Sequence, residues 1–212
     1  MNRVVDLTMT VRDGMRGVSM ETATTVEREG WNARHLHLYS HAGTHMDSPY
    51  HFAAGDQTID EIPPDRLMGR AWVFDVRGVP PRQPMTVSDL GDGASRVQPG
   101  DGVLLWSDWS RHVDDADYYR DHFPPIGLEL AKWFVDRGVR MLGVEPPSVG
   151  DVNDLPAVTA VHQVLLGGDV IIVEGLTNLG SINAGSCDWW ALPLKIDRGD
   201  GAPCRSLAIV AP

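Results

Sequence analysis

Short apolar runs bounded by glycine, proline or aspartate recur along this chain, and they are what most constrains its fold. Their length and their bounding residues are typical of buried strands. They occupy residues 3–7, 72–76, 103–106, 141–144, 170–173 and 207–210. Residues 35–39 alternate polar and apolar side chains, which predicts a half-buried strand.

Two stretches with helical periodicity predict helices between these strands. The first, at about residues 127–137, carries its apolar side chains on one stripe and ends at Gly138. The second begins after Asp154, a suitable N-cap, and closes at Gly167. Because each helix is followed at once by a strand, the pattern predicts an α/β fold, with one domain over residues 1–212.

Composition argues against several classes of protein. The formal net charge is -11, and no basic stripe is visible, which argues against a nucleic-acid partner. No apolar run approaches the roughly 18 residues of a membrane span, and no signal-peptide core is recognisable, so we expect a cytoplasmic protein with no membrane partner. Cys187 and Cys204 are too few for a disulfide framework, and we expect both to be reduced core thiols.

A histidine-rich segment is the strongest chemical signal. Five of the eight histidines lie between residues 35 and 51, and His41, His45, Asp47 and His51 fall within eleven residues. Imidazole and carboxylate are ligands that Zn²⁺ or Mn²⁺ accepts in a catalytic site with an open position. The glycine and proline in this segment oppose a continuous helix, so we expect a turn that leaves the 35–39 strand. The alternative is a solvated histidine-rich loop.

The same segment, His-x-Gly-Thr-His-x-Asp-x-Pro-x-His, resembles the signature of the cyclase-like metal-dependent hydrolase family at every defined position. That family includes kynurenine formamidases and isatin hydrolases. Further likeness lies at residues 6–8, 143–149, 162–179 and 192–203 and so covers nearly the whole chain. The resemblance implies a mixed sheet of the swivelling β/β/α type with flanking helices, and a homodimer or homotetramer.

The resemblance also implies roles for individual residues. His41, His45 and Asp47 would hold metal, with Asp47 bridging two ions, and His162 and Glu174 would complete the second site. His51 would be the acid/base residue, or would lie close enough to a metal to act as a ligand. Taken alone, His162 on the apolar stripe of its helix is more typical of a satisfied core histidine. Chain spacing does not show that it meets Glu174.

The resemblance implies a hydrolase that uses one or two Zn²⁺ ions, or Mn²⁺, to cleave a C–N bond outside peptides in a small amide, formamide or cyclic amide. Kynurenine formamidases place a tryptophan in a segment that corresponds to residues 13–20, where this chain has no aromatic residue, so the substrate stays unassigned. Met15, Met20 and Trp31 are candidates for shaping a different pocket. Isatin hydrolases tend to carry an amide at the position of Glu174, and the carboxylate here favours two metals. The alternatives are a metal-dependent lyase or cyclase acting on polyketide-like rings, and a non-catalytic metal- or ligand-binding protein.

Overall fold

A computed structural model of the protein describes residues 2–182 and 185–211. Within these residues the chain forms ten strands and four α-helices, joined by loops and short 3-10 turns. The strands are β1 (Arg3–Asp6), β2 (Val18–Thr24), β3 (Ala33–Leu38), β4 (His45–Asp47), β5 (Met68–Asp75), β6 (Gly102–Trp106), β7 (Met141–Val144), β8 (Ile171–Glu174), β9 (Ser186–Pro193) and β10 (Gly201–Val210). The helices are α1 (Val26–Glu29), α2 (Ala116–Asp121), α3 (Leu128–Asp136) and α4 (Leu155–Gly167).

Eight strands form one mixed sheet in the order β1-β10-β4-β8-β7-β6-β5-β9. Strand β10 also pairs with β9, so seven of these strands close into a barrel and β1 extends one side. The pairs β5–β6, β6–β7 and β7–β8 are parallel, and the remaining pairs are antiparallel. The predicted fold class, a single-domain α/β protein with a mixed sheet and flanking helices, is confirmed.

The parallel strands β6, β7 and β8 are buried on both faces, which explains their continuous apolar runs. Strand β1 is mostly exposed, contrary to the prediction for residues 3–7, because it lies at the edge of the sheet. Leu104 of β6 belongs to the cluster inside the barrel, together with Met46 and Trp189. Its neighbours Val103 and Leu105 point to the opposite face and belong to the cluster that includes residues of α3 and α4. Side chains alternate across a strand, so a strand covered on both faces must be apolar at every position.

Both predicted helices are confirmed with nearly the expected bounds. Asp154 is the N-cap of α4, and its side chain accepts a hydrogen bond of 3.0 Å from the backbone N–H of Ala157. Helix α3 is followed by Gly138 with a φ of +64°, a left-handed conformation that suits glycine. Helix α4 packs on α3 and contacts β8.

The prediction of a half-buried strand at residues 35–39 was wrong. Among the described residues, strand β3 pairs only with β2 in a separate two-stranded sheet, so most of its side chains are exposed and Leu36 is 56% accessible. A two-stranded hairpin has no second layer of its own to bury one face, whatever its alternation. The predicted turn after this strand is present at residues 40–44, but it does not extend over His45–Asp47, which is strand β4 in the middle of the main sheet and is paired on both sides by β8 and β10.

Cys187 and Cys204 are buried and unpaired, as predicted, and burial raises the pKa of each thiol to about 12. In the described part of the chain, no helix combines the length and the apolarity needed to cross a bilayer.

Glu145 anchors the loop that follows β6. Its carboxylate accepts hydrogen bonds from the backbone N–H groups of Ser107 and Trp109 and from the hydroxyls of Ser107 and Ser110. Burial outweighs these bonds and raises the pKa of Glu145 to about 6. The anchored loop carries Trp109, which packs with Tyr119 and Met9 near the site described next.

Candidate metal centre

Strands β4 and β8 place three ionisable side chains together. His45 and Asp47 are two residues apart on β4 and therefore point to the same face. Glu174, the last residue of β8, is paired with His45 in the antiparallel ladder. As a result, Nε2 of His45 lies 3.1 Å from Oε2 of Glu174 and 3.5 Å from Oδ1 of Asp47. All three side chains are almost fully buried.

Helix α4 brings His162 to the same point. Its Nε2 atom lies 3.4 Å from Oε1 of Glu174 and 3.6 Å from Oδ2 of Asp47. Only three residues join α4 to β8, and the two elements are in contact, so that the two side chains meet. His162 is therefore buried against two carboxylates rather than being a core histidine in apolar surroundings.

The backbone orients both buried imidazoles. Nδ1 of His45 lies 3.0 Å from the carbonyl oxygen of Gly43, and Nδ1 of His162 lies 2.7 Å from that of Val158. A carbonyl can only accept, so each Nδ1 carries a hydrogen and each Nε2 faces the carboxylates. This is the arrangement in which a neutral imidazole presents a lone pair to a metal.

His41 lies between two carboxylates. Its Nδ1 is 2.8 Å from Oδ1 of Asp47, and its Nε2 is 2.9 Å from Oδ2 of Asp200. Burial acts to lower the pKa of His41, but the hydrogen bonds and charges of these two carboxylates outweigh it and raise the pKa to about 9. Gly201 makes this packing possible, since a Cβ there would lie 2.7 Å from Cε1 of His41.

Asp200 is a site residue that the sequence analysis missed. It precedes β10 directly, and β10 pairs with β4, which brings Asp200 beside His41. The available signal was a carboxylate between two glycines at the start of a predicted C-terminal strand. Residues 192–203 entered the family resemblance only as a whole.

His51 lies at the open side of the cluster on a short 3-10 turn, Pro49–Phe52. Its ring stacks on His41, with centroids 3.8 Å apart, and its Nδ1 lies 3.7 Å from Oδ2 of Asp200. Its side chain is 23% exposed, compared with 2–3% for His45 and His162. Burial is the main cause that lowers the pKa of His51, with the positive charges of His41 and His162 acting in the same direction.

The structure thus brings all six residues singled out in the sequence to one place, and adds Asp200. Charges within the cluster also shift the pKa values of His45, His162 and Asp47. Burial lowers the pKa of His45 and of His162, but the facing carboxylates outweigh it and raise both. Burial raises the pKa of Asp47, but His41, His45 and His162 outweigh it and lower it.

The donor set fits divalent cations. Two groups, each with ligand atoms within 4.8 Å of one another, share Asp47: His41 with His45, and His162 with Glu174. A third group joins His41, His51 and Asp200. Oδ2 of Asp47 is buried and has no hydrogen-bond partner among the described residues, which is costly unless a cation occupies its free lone pairs.

A cavity of about 620 Å³ opens above this cluster. His41, His45, His51, His162 and Glu174 form its floor. Its walls are largely apolar, with Met9, Met15, Phe52, Val113, Tyr119 and Val152 among the lining residues. Of the three residues proposed to shape a pocket, Met15 lines it, whereas Met20 and Trp31 do not. The volume and lining are typical of a small-molecule site.

A closed α/β barrel with a buried histidine–carboxylate cluster under an apolar cavity defines a candidate metal-dependent enzyme. Comparison with known proteins gives the family: residues 5–151 match the family described as "Putative cyclase", and the chain belongs to it. The cyclase-family resemblance seen in the sequence is confirmed.

Relatives and solved structures extend this similarity beyond the matched region. The chain is 36% identical to a kynurenine formamidase of Salinibacter ruber over 85% of its own length and 81% of that protein. It is similar to the structure of isatin hydrolase A from Labrenzia aggregata, with a TM-score of 0.89, 26% identity, and coverage of 100% and 94% of the two chains. A structure described as a potential metal-dependent hydrolase with cyclase activity aligns over the full length of both chains at 26% identity and a TM-score of 0.80. With the cluster, these similarities point to a metal cofactor.

Proposed function

We propose that this protein is a metal-dependent hydrolase that cleaves the C–N bond of a small amide, formamide or cyclic amide. The observation that carries the proposal is the convergence of His45, His162 and Glu174 on the two oxygens of Asp47, at the floor of a cavity that a small molecule can enter. Relatives named kynurenine formamidase and isatin hydrolase support amide hydrolysis over lyase or cyclase chemistry.

We assign the cation-holding roles as follows. His41, His45 and Asp47 form one site, His162 and Glu174 form a second, and Asp47 bridges the two. Zn²⁺ is the proposed ion, in one or two copies, and Mn²⁺ accepts the same nitrogen and oxygen ligands. A divalent cation bound there supplies Lewis acidity toward a carbonyl oxygen and lowers the pKa of water.

We assign His51 to proton transfer. Burial lowers its pKa, so its imidazole is neutral near pH 7 and can accept a proton. Asp200 faces its Nδ1 atom, and in the described part of the chain its Nε2 atom has no hydrogen-bond partner. Nε2 is therefore the atom that takes the proton from the attacking water and returns it to the leaving nitrogen. The stacked ring of His41 and the Asp200 carboxylate hold His51 in position.

The cavity supports a substrate other than N-formylkynurenine. Among the described residues that line it there is no tryptophan, and Met15 lies in the segment where kynurenine formamidases carry theirs. A methionine is flexible and polarisable, and it adapts to ligands of varied shape.

Metal analysis followed by an activity screen tests the proposal. Purified protein should contain one or two equivalents of a divalent cation per chain. It should hydrolyse members of a panel of formanilides and isatins, lose that activity with a chelator, and regain it with Zn²⁺ or Mn²⁺. Products formed in ¹⁸O-labelled water should carry the label, since only hydrolysis incorporates solvent oxygen. A metal-free active enzyme, or an unlabelled product, would rule the proposal out.

We also propose an oligomeric state and a cellular location for the protein. We propose a homodimer or homotetramer, because the β2–β3 hairpin exposes Trp31, Leu36 and Tyr39, each more than half accessible. We place the protein in the cytoplasm, since its two buried thiols are unpaired. Light scattering coupled to size-exclusion chromatography tests the oligomeric state, and cell fractionation tests the location.

A further inference from the structure

Three arginines line the cavity above the histidine cluster: Arg12, Arg16 and Arg120. Arg12 donates to Asp114 at 3.2 Å, and Arg120 is paired with Asp121. Arg16 has no carboxylate within ion-pair distance among residues 2–182 and 185–211. It is therefore the cavity-lining arginine that forms no ion pair in this part of the chain.

The acidic residues that line the cavity form no ion pair with Arg16 in the described part of the chain. Asp114 is engaged by Arg12. Asp13 keeps its charge on the same turn as Arg16, and its Oδ1 accepts a hydrogen bond of 2.9 Å from the backbone N–H of Met20. The chain as a whole carries a formal charge of -11, so an anion approaching the cavity is repelled unless a local cation binds it. Arg16 is the cavity-lining guanidinium that is available to bind such an anion.

The backbone around Arg16 is fixed although its side chain is free. Gly14 and Gly17 have φ angles of +80° and +75°, and the N–H of Val18 donates to the carbonyl of Met15 at 2.9 Å. A Cβ on Gly17 would lie 2.7 Å from Cβ of Tyr39, so the turn is packed closely against another residue of the cavity wall. The backbone that carries Arg16 is thus held at a defined place on the cavity wall.

We infer that Arg16 selects substrates that carry a carboxylate remote from the bond to be cleaved. A guanidinium binds a carboxylate through two parallel hydrogen bonds, a geometry that lysine cannot reproduce. Arg16 and His51 line the same cavity, so a molecule whose carboxylate is held by Arg16 can extend over the apolar lining toward the histidine cluster. This inference rests on the proposed hydrolase function and names the substrate class within it: anionic aryl or alkyl amides and formamides.

The probes are 4-formamidobenzoate and formanilide, which differ only in the remote carboxylate. In each hydrolysis the oxygen of water bonds to the formyl carbon, the C–N bond breaks, and the nitrogen gains one proton of the water while the other is released to solvent, giving formate and an arylamine. With the metal-loaded enzyme, we expect the ratio of kcat/KM for the anion to that for formanilide to fall about tenfold in Arg16→Gln. Arg16→Lys should recover only part of that ratio.

Arg28→Gln is the matched control. Arg28 is exposed on α1, does not line the cavity, and its replacement changes the net charge by the same amount. We expect Arg28→Gln to have the same ratio of kcat/KM for 4-formamidobenzoate to kcat/KM for formanilide as the wild type. An unchanged ratio in Arg16→Gln, or an equal fall in Arg28→Gln, would overturn the inference.

A binding measurement separates this inference from the proposed function. Calorimetry with 4-acetamidobenzoate and acetanilide reports anion recognition whether or not either compound is hydrolysed. If the enzyme hydrolyses neither formamide yet binds the anion about tenfold more weakly after Arg16→Gln, hydrolysis fails and anion recognition stands. Equal affinity of wild type and Arg16→Gln for the anion would overturn the role of Arg16 even in an active hydrolase.

Discussion

His45 and Glu174 occupy paired positions on β4 and β8, and their side chains meet with Nε2 of the imidazole 3.1 Å from Oε2 of the carboxylate. The contact joins residues 129 positions apart through the register of one antiparallel ladder. The register that closes the barrel therefore also sets the geometry of the candidate metal centre.

Replacing Asp47, which two groups of ligand atoms share, should reduce the metal content more than replacing Glu174, which belongs to one group. Asp47→Asn should lose the cations of both proposed sites, because the two groups of ligand atoms assigned to them share Asp47. Glu174→Gln should bind less than wild type and keep the group formed by His41 and His45. Metal content per chain, measured after dialysis, checks both. Asp136→Asn, an exposed change at the end of α3, is the control, and wild-type metal in Asp47→Asn would contradict the assignment.

Removing His51 should separate metal binding from turnover. His51→Ala should retain the metal of the wild type but lose about 10²-fold or more in kcat, the usual contribution of a general acid/base. The same substitution at His37, which is 64% exposed on the hairpin, should change neither quantity. Full turnover in His51→Ala would remove this residue from proton transfer.

Asp200 should act by positioning His41 and His51. Asp200→Asn removes the charge that faces Nε2 of His41 and Nδ1 of His51, and we expect about a tenfold loss in kcat with metal content preserved. Asp197→Asn, an exposed change three residues earlier, should be neutral. A loss of metal in Asp200→Asn would instead show that Asp200 is a ligand.

The stability of metal-free and metal-loaded protein should diverge as pH rises. His41 has a folded-state pKa of about 9, above its ordinary 6.5, so its ion pairs stabilise the metal-free fold fully below pH 6.5 and are lost as pH rises to 9. Integrated over this range, the shift corresponds to about 3 kcal/mol. The raised pKa values of His45 and His162 act in the same direction.

With metal bound, the free energy of unfolding should instead increase as pH rises, because cations require unprotonated imidazoles and so bind more tightly at higher pH. Urea unfolding between pH 6 and 9.5, with chelator and with Zn²⁺, measures both slopes. His41→Gln should reduce the slope of the metal-free protein. A metal-free stability that increases over this range would contradict the ion-pair geometry.

Gly175 should be intolerant of a side chain. Its φ is +65°, and a Cβ there would lie 2.4 Å from the carbonyl oxygen of Gly43, which orients His45. Gly175→Ala should lower the free energy of unfolding by about 2 kcal/mol or more. Gly78→Ala, where nothing lies within 4 Å of the added carbon, is the control. Equal stability of the two variants in urea titrations would show that the close approach is not required.

The sequence predicted those strands and helices that depend on residues close together in the chain. The strands with continuous apolar runs and the helix capped by Asp154 were found because burial on two faces and capping leave marks within a few residues. Strand β4 was missed because polar ligands interrupt its short pattern, and its pairing partners lie far along the chain. The meeting of His162 with Glu174 was implied by family resemblance alone, since it depends on the angle at which α4 crosses the sheet.

Closure of the barrel has a consequence for biosynthesis. The cluster draws on residues 41–51, on His162 and Glu174, and on Asp200, which immediately precedes the strand that joins β4 to β9. A nascent chain emerging from the ribosome therefore carries the histidine-rich segment long before it carries the rest of the centre. Until β8 has been translated and has paired with β4, the growing polypeptide has only part of the proposed ligand set. We therefore expect the complete cation site only in chains that have been synthesised beyond Glu174, and the support of His41 and His51 by Asp200 only once β10 has followed.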